Sequence, residues 1–357
     1  LTNTMTTVHV PTRDVAPAHR FDEARLHGYL RARLDGFDGD LMVRQFQGGA
    51  SNPTFLLTVS AGLGETRRFV LRKKPPGALL ASAHQVDREF RVMSALAGSG
   101  VPVPTTRLLC EDPEIIGAAF YVMDFLEGRI FRDASLPGLA PDERAAIYDE
   151  LGATLVRLHA VDFVAAGLAD FGRPDGYFER QVARWTRQYR GAETEPIPAM
   201  EQLIHALPGR VPDEPSVSIA HGDYRLENVM FHPTEPRLIA VLDWELCTIG
   251  HPLADLAYNA FLWRSESPTW GTLQGVDFAA SGIPTEAQYV EAYLRRTGRG
   301  PIADWPFYLA FAVFRLASIS QGVYRRTLDG VLASEREPIN AAPGLAAQAL
   351  AILTGEG

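Results

Sequence analysis

From His221 the chain reads His221-Gly222-Asp223-Tyr224-Arg225-Leu226-Glu227-Asn228-Val229; further on comes an apolar run, Leu238 to Leu242, closed by Asp243-Trp244-Glu245. This order of residue types suits few architectures. The apolar run predicts a short strand that leaves Asp243 at its end, and the segment before it predicts a loop carrying Asp223 and Asn228. A loop Asp can accept a hydroxyl proton. An Asn five residues later can turn its amide oxygen back to a metal ion, and an Asp at the end of the next strand can also hold metal. The lone-residue readings, a solvated loop Asp or a helix cap, lose force because the three groups occur together in this order.

The rest of the chain changes period once. Phe21 to Leu34 carries an apolar helical stripe. Met42 to Phe46, Thr54 to Val59, Arg67 to Arg72, Thr105 to Cys110 and Phe120 to Met123 are short, rich in β-branched or aromatic residues and bounded by turn residues, which predicts a small antiparallel sheet. One helix, Ala83 to Leu96, interrupts them. From Pro141 on the pattern is helical: 141–159, 176–189, 200–207, 253–263, 285–296, 306–324 and 343–353. The fold class is therefore α+β, a β-rich lobe followed by a larger α-rich lobe, joined around Asp124 to Gly128.

At 357 residues and 46% apolar content the chain can bury sizeable cores. A net charge of −9 and a pI near 5.5 argue against nucleic acid or an anionic membrane as the main partner. The apolar stretch Trp305 to Ile319 has Arg315 near its middle and falls short of the roughly 20 residues that span a bilayer, so it reads as a buried helix. Cys110 and Cys247 are the only cysteines, which predicts neither a disulfide framework nor a zinc site and suits a reducing cytoplasm. Residues 1–19 are expected to form a disordered leader. Oligomeric state is left open by the sequence.

These segments resemble the aminoglycoside phosphotransferase family, which is related to choline kinases and, more distantly, to protein kinases. The family reads His-Gly-Asp where His221-Gly222-Asp223 stands, and Ile249-Gly250-His251-Pro252-Leu253-Ala254-Asp255-Leu256-Ala257 is similar to its Gly-Asp-Pro-x-x-Asp-Leu-Ala segment, with His251 replacing the first Asp. Phe69-Val70-Leu71-Arg72-Lys73-Lys74-Pro75-Pro76-Gly77 and Ala83-His84-Gln85-Val86-Asp87-Arg88-Glu89-Phe90 resemble the kinase-like segment attached to some acyl-CoA dehydrogenases. The likeness runs from residue 20 to residue 345.

The resemblance implies a bilobal protein-kinase-like fold. Residues 20–124 would form the N-terminal nucleotide-binding lobe and residues 125–357 the catalytic and substrate-binding lobe. It also implies ATP and Mg²⁺, and a small molecule with a hydroxyl as acceptor. Asp223 would be the catalytic base, with Asn228 and Asp243 as metal ligands. His221 would organise the loop backbone and Asp255 would hold the loop by accepting its backbone hydrogen bonds, a plain helix-start acid being the competing reading for Asp255. Gly48, Gly49, Ser51 and Asn52 would form the phosphate loop, although by residue type alone such a turn is more often a hairpin. Arg72 stands where kinases place a phosphate-pairing Lys, with Lys73 as the alternative; strand alternation turns only one of them inward. Glu89 would pair with that cation, and Met123 and Phe125 would present backbone to the adenine edge. His159, ending a helix, reads as structural.

Other functions compete. The chain could carry an acyl-CoA dehydrogenase label through gene fusion, or be a nucleotide-binding module without catalysis. The first is disfavoured because no segment resembles a flavin dehydrogenase, and the second because Asp223, Asn228 and Asp243 are all present. The acceptor is not written in the sequence. The Ala- and Leu-rich tail, Ala341 to Leu353, lacks the carboxylate cluster that aminoglycosides would favour, and the branch resemblance points to a hydroxyacyl-CoA or a hydroxy acid. Arg180, Arg184, Arg187 and Arg190 share one helical face and could meet CoA phosphates or simply face solvent.

Overall fold

The computed structural model describes residues 11–47, 52–60, 65–75, 85–266, 271–330 and 339–355. In chain order its elements are β1 (Thr12–Arg13), α1 (Glu23–Arg31), β2 (Asp40–Phe46), β3 (Thr54–Ser60), β4 (Thr66–Lys73), α2 (Val86–Leu96), β5 (Thr106–Cys110), α3 (Pro113–Ile116) and β6 (Phe120–Asp124). Then follow α4 (Pro141–His159), α5 (Tyr177–Ala192), α6 (Pro198–Ala206), β7 (Ser218–Ala220), β8 (Val229–Phe231), β9 (Leu238–Val241), β10 (Thr248–Gly250) and α7 (Pro252–Ala260). The chain ends with α8 (Phe278–Ser281), α9 (Glu286–Thr297), α10 (Trp305–Leu328) and α11 (Ala342–Thr354). Two compact units result: Leu1–Phe131 with Leu226–Cys247, and Arg132–Arg225 with Thr248–Gly357.

The first unit is built on a six-stranded antiparallel sheet in the order β1-β2-β3-β4-β6-β5. Strand alternation sorts its residues. Phe55, Leu57, Phe69, Leu71, Phe120 and Val122 share a core with Leu26 and Leu30 of α1. Lys73 belongs to the same side as Phe69 and Leu71, and its ammonium lies 5.3 Å from the Phe21 ring centroid. Arg72, one residue earlier, pairs across the ladder with Tyr121 and points to α2, whose inner face is Val86, Glu89, Val92, Met93 and Leu96. The segment Leu226–Cys247 adds the β8–β9 hairpin, with Val229 opposite Val241. Leu242 N donates to the Asn228 carbonyl at 2.8 Å, so the chain positions just outside the ladder, Asn228 and Asp243, lie at one end of it.

The second unit is mostly helical. Its inner helix is α10, nearly all of whose residues from Phe307 to Gly322 are buried; Phe178 of α5 contacts Phe307, Tyr308 and Phe311 edge-on. By length and composition alone α10 could cross a membrane, since it runs 24 residues, longer than the sequence pattern indicated; yet 83% of its most apolar window is buried inside the fold. The sequence argument from length therefore fails, and burial carries the reading as a core helix. β7 and β10 pair antiparallel, Ile219 opposite Ile249. Gly250 is required at this crossing because a Cβ would sit 2.5 Å from the Tyr177 ring.

Candidate active-site residues

The helical unit holds the loop that carries Asp223. Because β7 and β10 are paired, the start of α7 lies beside the loop leaving β7, and Asp255 in its first turn meets two loop amides: His221 N donates to Oδ2 at 2.6 Å and Gly222 N to Oδ1 at 2.8 Å. Gly222 has φ +82°, a left-handed conformation that a side chain would strain. His221 is fully buried, and its Nδ1 accepts from the Asp223 amide at 3.1 Å, closing the turn that presents the Asp223 side chain. Burial alone would push the Asp255 carboxyl up. The hydrogen bond from His159, the neighbouring imidazoles and the Gly222 amide outweigh it and hold that carboxyl below its usual range. His159 is itself fixed by Tyr293, whose hydroxyl meets Nδ1 at 2.7 Å.

Two residues near Asp223 were missed in the sequence. Tyr258, one helical turn beyond Asp255 on α7, donates its hydroxyl to Asp223 Oδ1. Burial, followed by the Asp223 charge, pushes that phenol far up, so it acts as a donor. Arg225 Nε lies 3.7 Å from the same carboxylate oxygen. The spacing of Asp255 and Tyr258 was visible as a shared helix face, but nothing local says what that face meets.

The sheet unit holds the other candidate residues. Arg72 Nε is 3.1 Å from Glu89 Oε2, and its Nη2 is 2.7 Å from Asp243 Oδ1 and 3.7 Å from Glu245 Oε2. Glu89, only 1% exposed, also accepts from Asn52 Nδ2 at 2.7 Å and Tyr121 Oη at 3.0 Å. Burial pushes the Glu89 carboxyl up against the pull of Arg72. Burial alone would lower the Arg72 guanidinium, but the charges of Asp243 and Glu89 outweigh it and hold it above its usual range. Lys73 lies outside this cluster, and burial lowers its ammonium. Asp243 adopts φ +62°, the left-handed region an Asp tolerates at some cost, which turns its carboxylate out of the strand.

Gly48, Gly49 and Ser51 lie outside the described residues. Asn52 belongs with Glu89 rather than reaching out alone. Met123 is buried in β6 between Val70 and Thr106, and Phe125, just beyond, gives its amide to the Arg68 carbonyl at 3.4 Å and its ring face to the Arg68 guanidinium at 4.4 Å. Among the described residues no cluster of three His, Cys, Asp or Glu is arranged for a metal ion. The donor set at the β8–β9 end is instead one carboxylate, Asp243, and one amide, Asn228, hard oxygens of the kind Mg²⁺ takes when phosphates and water complete its shell. The arginine row on α5 is not uniform: Arg190 is held by Glu201 at 2.5 Å, whereas Arg184 lies over Trp185.

The sequence profile described as "Phosphotransferase enzyme family" matches residues 42–311, and the chain belongs to that family. Acyl-CoA dehydrogenase family member 10 of Mus musculus is 46% identical over 326 residues, which cover 90% of this chain but only 30% of that protein. The chain thus spans less than half the length of the curated relatives it matches. A crystal structure from Ralstonia eutropha, assigned to the aminoglycoside phosphotransferases, is 46% identical, covers 94% of this chain and 99% of its own, and superposes with a TM-score of 0.84. The streptomycin–ATP ternary complex of APH(2")-IIa, at 14% identity, 93% and 98% coverage and a TM-score of 0.56, shares the fold. The fold is thus the kinase-like one, an antiparallel sheet of six strands with many helices.

Proposed function

We propose that the chain is an ATP- and Mg²⁺-dependent phosphotransferase that moves the γ-phosphoryl group to a hydroxyl of a small molecule. The observation that carries this reading is the cluster around Arg72: its guanidinium meets Glu89 and Asp243 at a strand end that also presents Asn228. Mg²⁺ held by Asp243 would bring phosphates that give Arg72 new partners. Asp243 and Asn228 would hold Mg²⁺, which when bound shields the phosphate charge.

Asp223 orients the acceptor hydroxyl and takes its proton. The acceptor oxygen forms its bond to the γ-phosphorus as the bond from that phosphorus to the β,γ-bridging oxygen breaks, and ADP leaves. His221 and Asp255 keep the Asp223 loop in the shape this needs, which is positioning rather than proton transfer. The resemblance to the ATP complex of a distant fold relative supports the choice of nucleotide. The names of the acyl-CoA dehydrogenase relatives support an acceptor of the hydroxyacyl-CoA or hydroxy-acid type.

Calorimetric titration of ATP with and without Mg²⁺ tests the metal assignment. Asp243→Ala is expected to abolish Mg²⁺-dependent ATP binding and Asn228→Ala to weaken it less, because an anionic ligand holds a hard cation more strongly than an amide does. Equal losses in both variants would contradict that division of roles, and no ATP binding by the parent chain would defeat the reading as a whole.

A further inference from the structure

Arg315 sits in the middle of the buried helix α10 with 3% of its surface exposed. Its guanidinium carbon lies 4.9 Å from the ring centroid of Tyr258 and 5.6 Å from that of Trp185, so the group sits over the faces of two aromatic rings. Its edge is different. Nε and Nη2 are both buried and have no hydrogen-bond partner among the described residues. These two nitrogens form one edge of the guanidinium, the fork that meets a carboxyl group with two parallel N–H···O bonds. Ring faces attract the cation but cannot accept its in-plane N–H groups. Leaving a buried guanidinium edge unmet is costly, more so than for a neutral donor, and no carboxylate of the described chain comes to it.

The place of Arg315 gives that open edge a meaning. Tyr258, whose ring it contacts, is the same residue whose hydroxyl donates to Asp223. A single tyrosine therefore separates the candidate base from a buried, unmet cation. The Tyr258 hydroxyl also makes the contact that an acceptor hydroxyl would make with Asp223.

We infer that Arg315 is the residue that recognises the acceptor, by donating Nε–H and Nη2–H to an acyl oxygen carried by the same molecule as the reacting hydroxyl. The inference rests on the phosphotransfer reading above and assigns a recognition residue to its hydroxylated acyl acceptor, whether the oxygen belongs to a free carboxylate or to a thioester carbonyl. Cationic amino alcohols and amino sugars are excluded from this subsite by charge. Arg315 binds and orients; it takes no part in the proton transfer.

The test compares three kinds of acceptor in one enzyme: hydroxybutyrate isomers, their CoA thioesters, and butanediols, which keep hydroxyls and lack the acyl oxygen. The parent chain is expected to favour one of the acyl forms over the diols by about tenfold or more in kcat/KM, the size of a charge-assisted hydrogen bond. Whichever acyl form is favoured identifies the oxygen as carboxylate or carbonyl. Arg315→Met should bring the ratio close to one, with the loss in KM, and Arg315→Lys should keep part of it because the charge remains while the fork is gone. Since each ratio is taken within one protein preparation, a partly unfolded variant does not mimic the result. An unchanged ratio in Arg315→Met, or equal use of diols and acyl compounds by the parent, overturns the inference while leaving phosphotransfer intact. Calorimetric binding of the same compounds needs no turnover: if Arg315 governs a binding preference for acyl compounds but no acceptor is phosphorylated, the phosphotransfer reading fails and the assignment of Arg315 stands. If no acyl compound binds the parent chain, the assignment falls.

Discussion

Two arginines, one in each unit, are largely withdrawn from solvent and are treated in opposite ways. Arg72, in the sheet unit, faces Glu89, Asp243 and Glu245; Arg315, in the helical unit, lies over aromatic rings and meets no carboxylate among the described residues. The first environment pairs the cation with carboxylates; the second does not. Under the proposed phosphotransfer, Arg72 would serve the metal-bound nucleotide and Arg315 the acyl oxygen of the acceptor. The contrast also separates what each arginine does for stability, because removing Arg72 strands the buried Glu89 while removing Arg315 strands no acid among the described residues.

The largest effect expected from breaking this scheme is at the base. Asp223→Asn keeps the shape of the side chain but cannot take a proton, so turnover should fall by about 10²-fold or more while ATP affinity changes little. Steady-state kinetics alongside calorimetric ATP binding read both quantities. Turnover within threefold of the parent would remove Asp223 from the mechanism.

Arg72→Met should cost stability as well as function. Glu89 would remain buried at 1% exposure without its cation, and stranding a buried charge costs about 3–5 kcal/mol. Adding Glu89→Gln to Arg72→Met should restore much of that loss, because the amide no longer needs a cation. Denaturant midpoints of the two single variants and the double variant give the coupling. Simple additivity would show that Arg72 and Glu89 act independently, and the contrast with Arg315 would lose its basis.

A third effect belongs to the helical unit alone. His251 caps α7: its Nδ1 accepts from Leu253 N at 3.2 Å and its Nε2 donates to the Glu214 carbonyl at 3.3 Å. Burial lowers its pKa to about 4, so the folded chain holds it neutral where the unfolded chain would bind a proton. Between these two values the unfolded state binds more protons, and stability therefore rises with pH. The contribution is complete above about pH 6.5 and is lost as pH falls through about 4, roughly 3 kcal/mol in all. Melting temperatures measured across this window should drop for the parent and drop less for His251→Asn, which can still cap the helix. Parallel curves for the two proteins would assign the acid sensitivity to other groups.

Much of this arrangement was legible from local pattern. The strands β2 to β6 and most helices from α4 to α11 were legible from their pattern. The short α8, none of whose residues is buried, was not read, and α7 and α10 are buried nearly all round, so apolar composition rather than one face marked them. Of the short strands, β9 was read from its apolar run, while β7, β8 and β10 were not, since such short runs carry no period of their own and exist only through pairing. The loop fixed by Asp255 could be expected from resemblance, and the β8–β9 pairing places Asn228 beside the strand end that bears Asp243. Two facts escaped for a different reason. Arg315 was noticed only as a charge that weakens a membrane reading, and Tyr258 was not singled out within the helix read over 253–263. A side chain's partner is a tertiary fact when that partner lies far along the chain, and no spacing within α10 predicts Tyr258 or Trp185. What the sequence did offer was the anomaly itself, a single arginine inside an apolar helix, which burial without a partner turns into a question of function.

The smallest effect, and the sharpest test of how the acceptor half works, is expected from Tyr258→Phe. The variant keeps the ring that Arg315 contacts at 4.9 Å and removes only the hydroxyl given to Asp223. If that hydroxyl holds the carboxylate in its reactive orientation, its loss should lower kcat by a few-fold to about tenfold, in line with one hydrogen bond to a charged group. If instead the hydroxyl merely fills the acceptor's place, removing it clears the way and KM falls while kcat holds. Whether kcat or KM falls therefore separates the two roles, and no change in either would mean that Tyr258 and Asp223 are not coupled in the working enzyme.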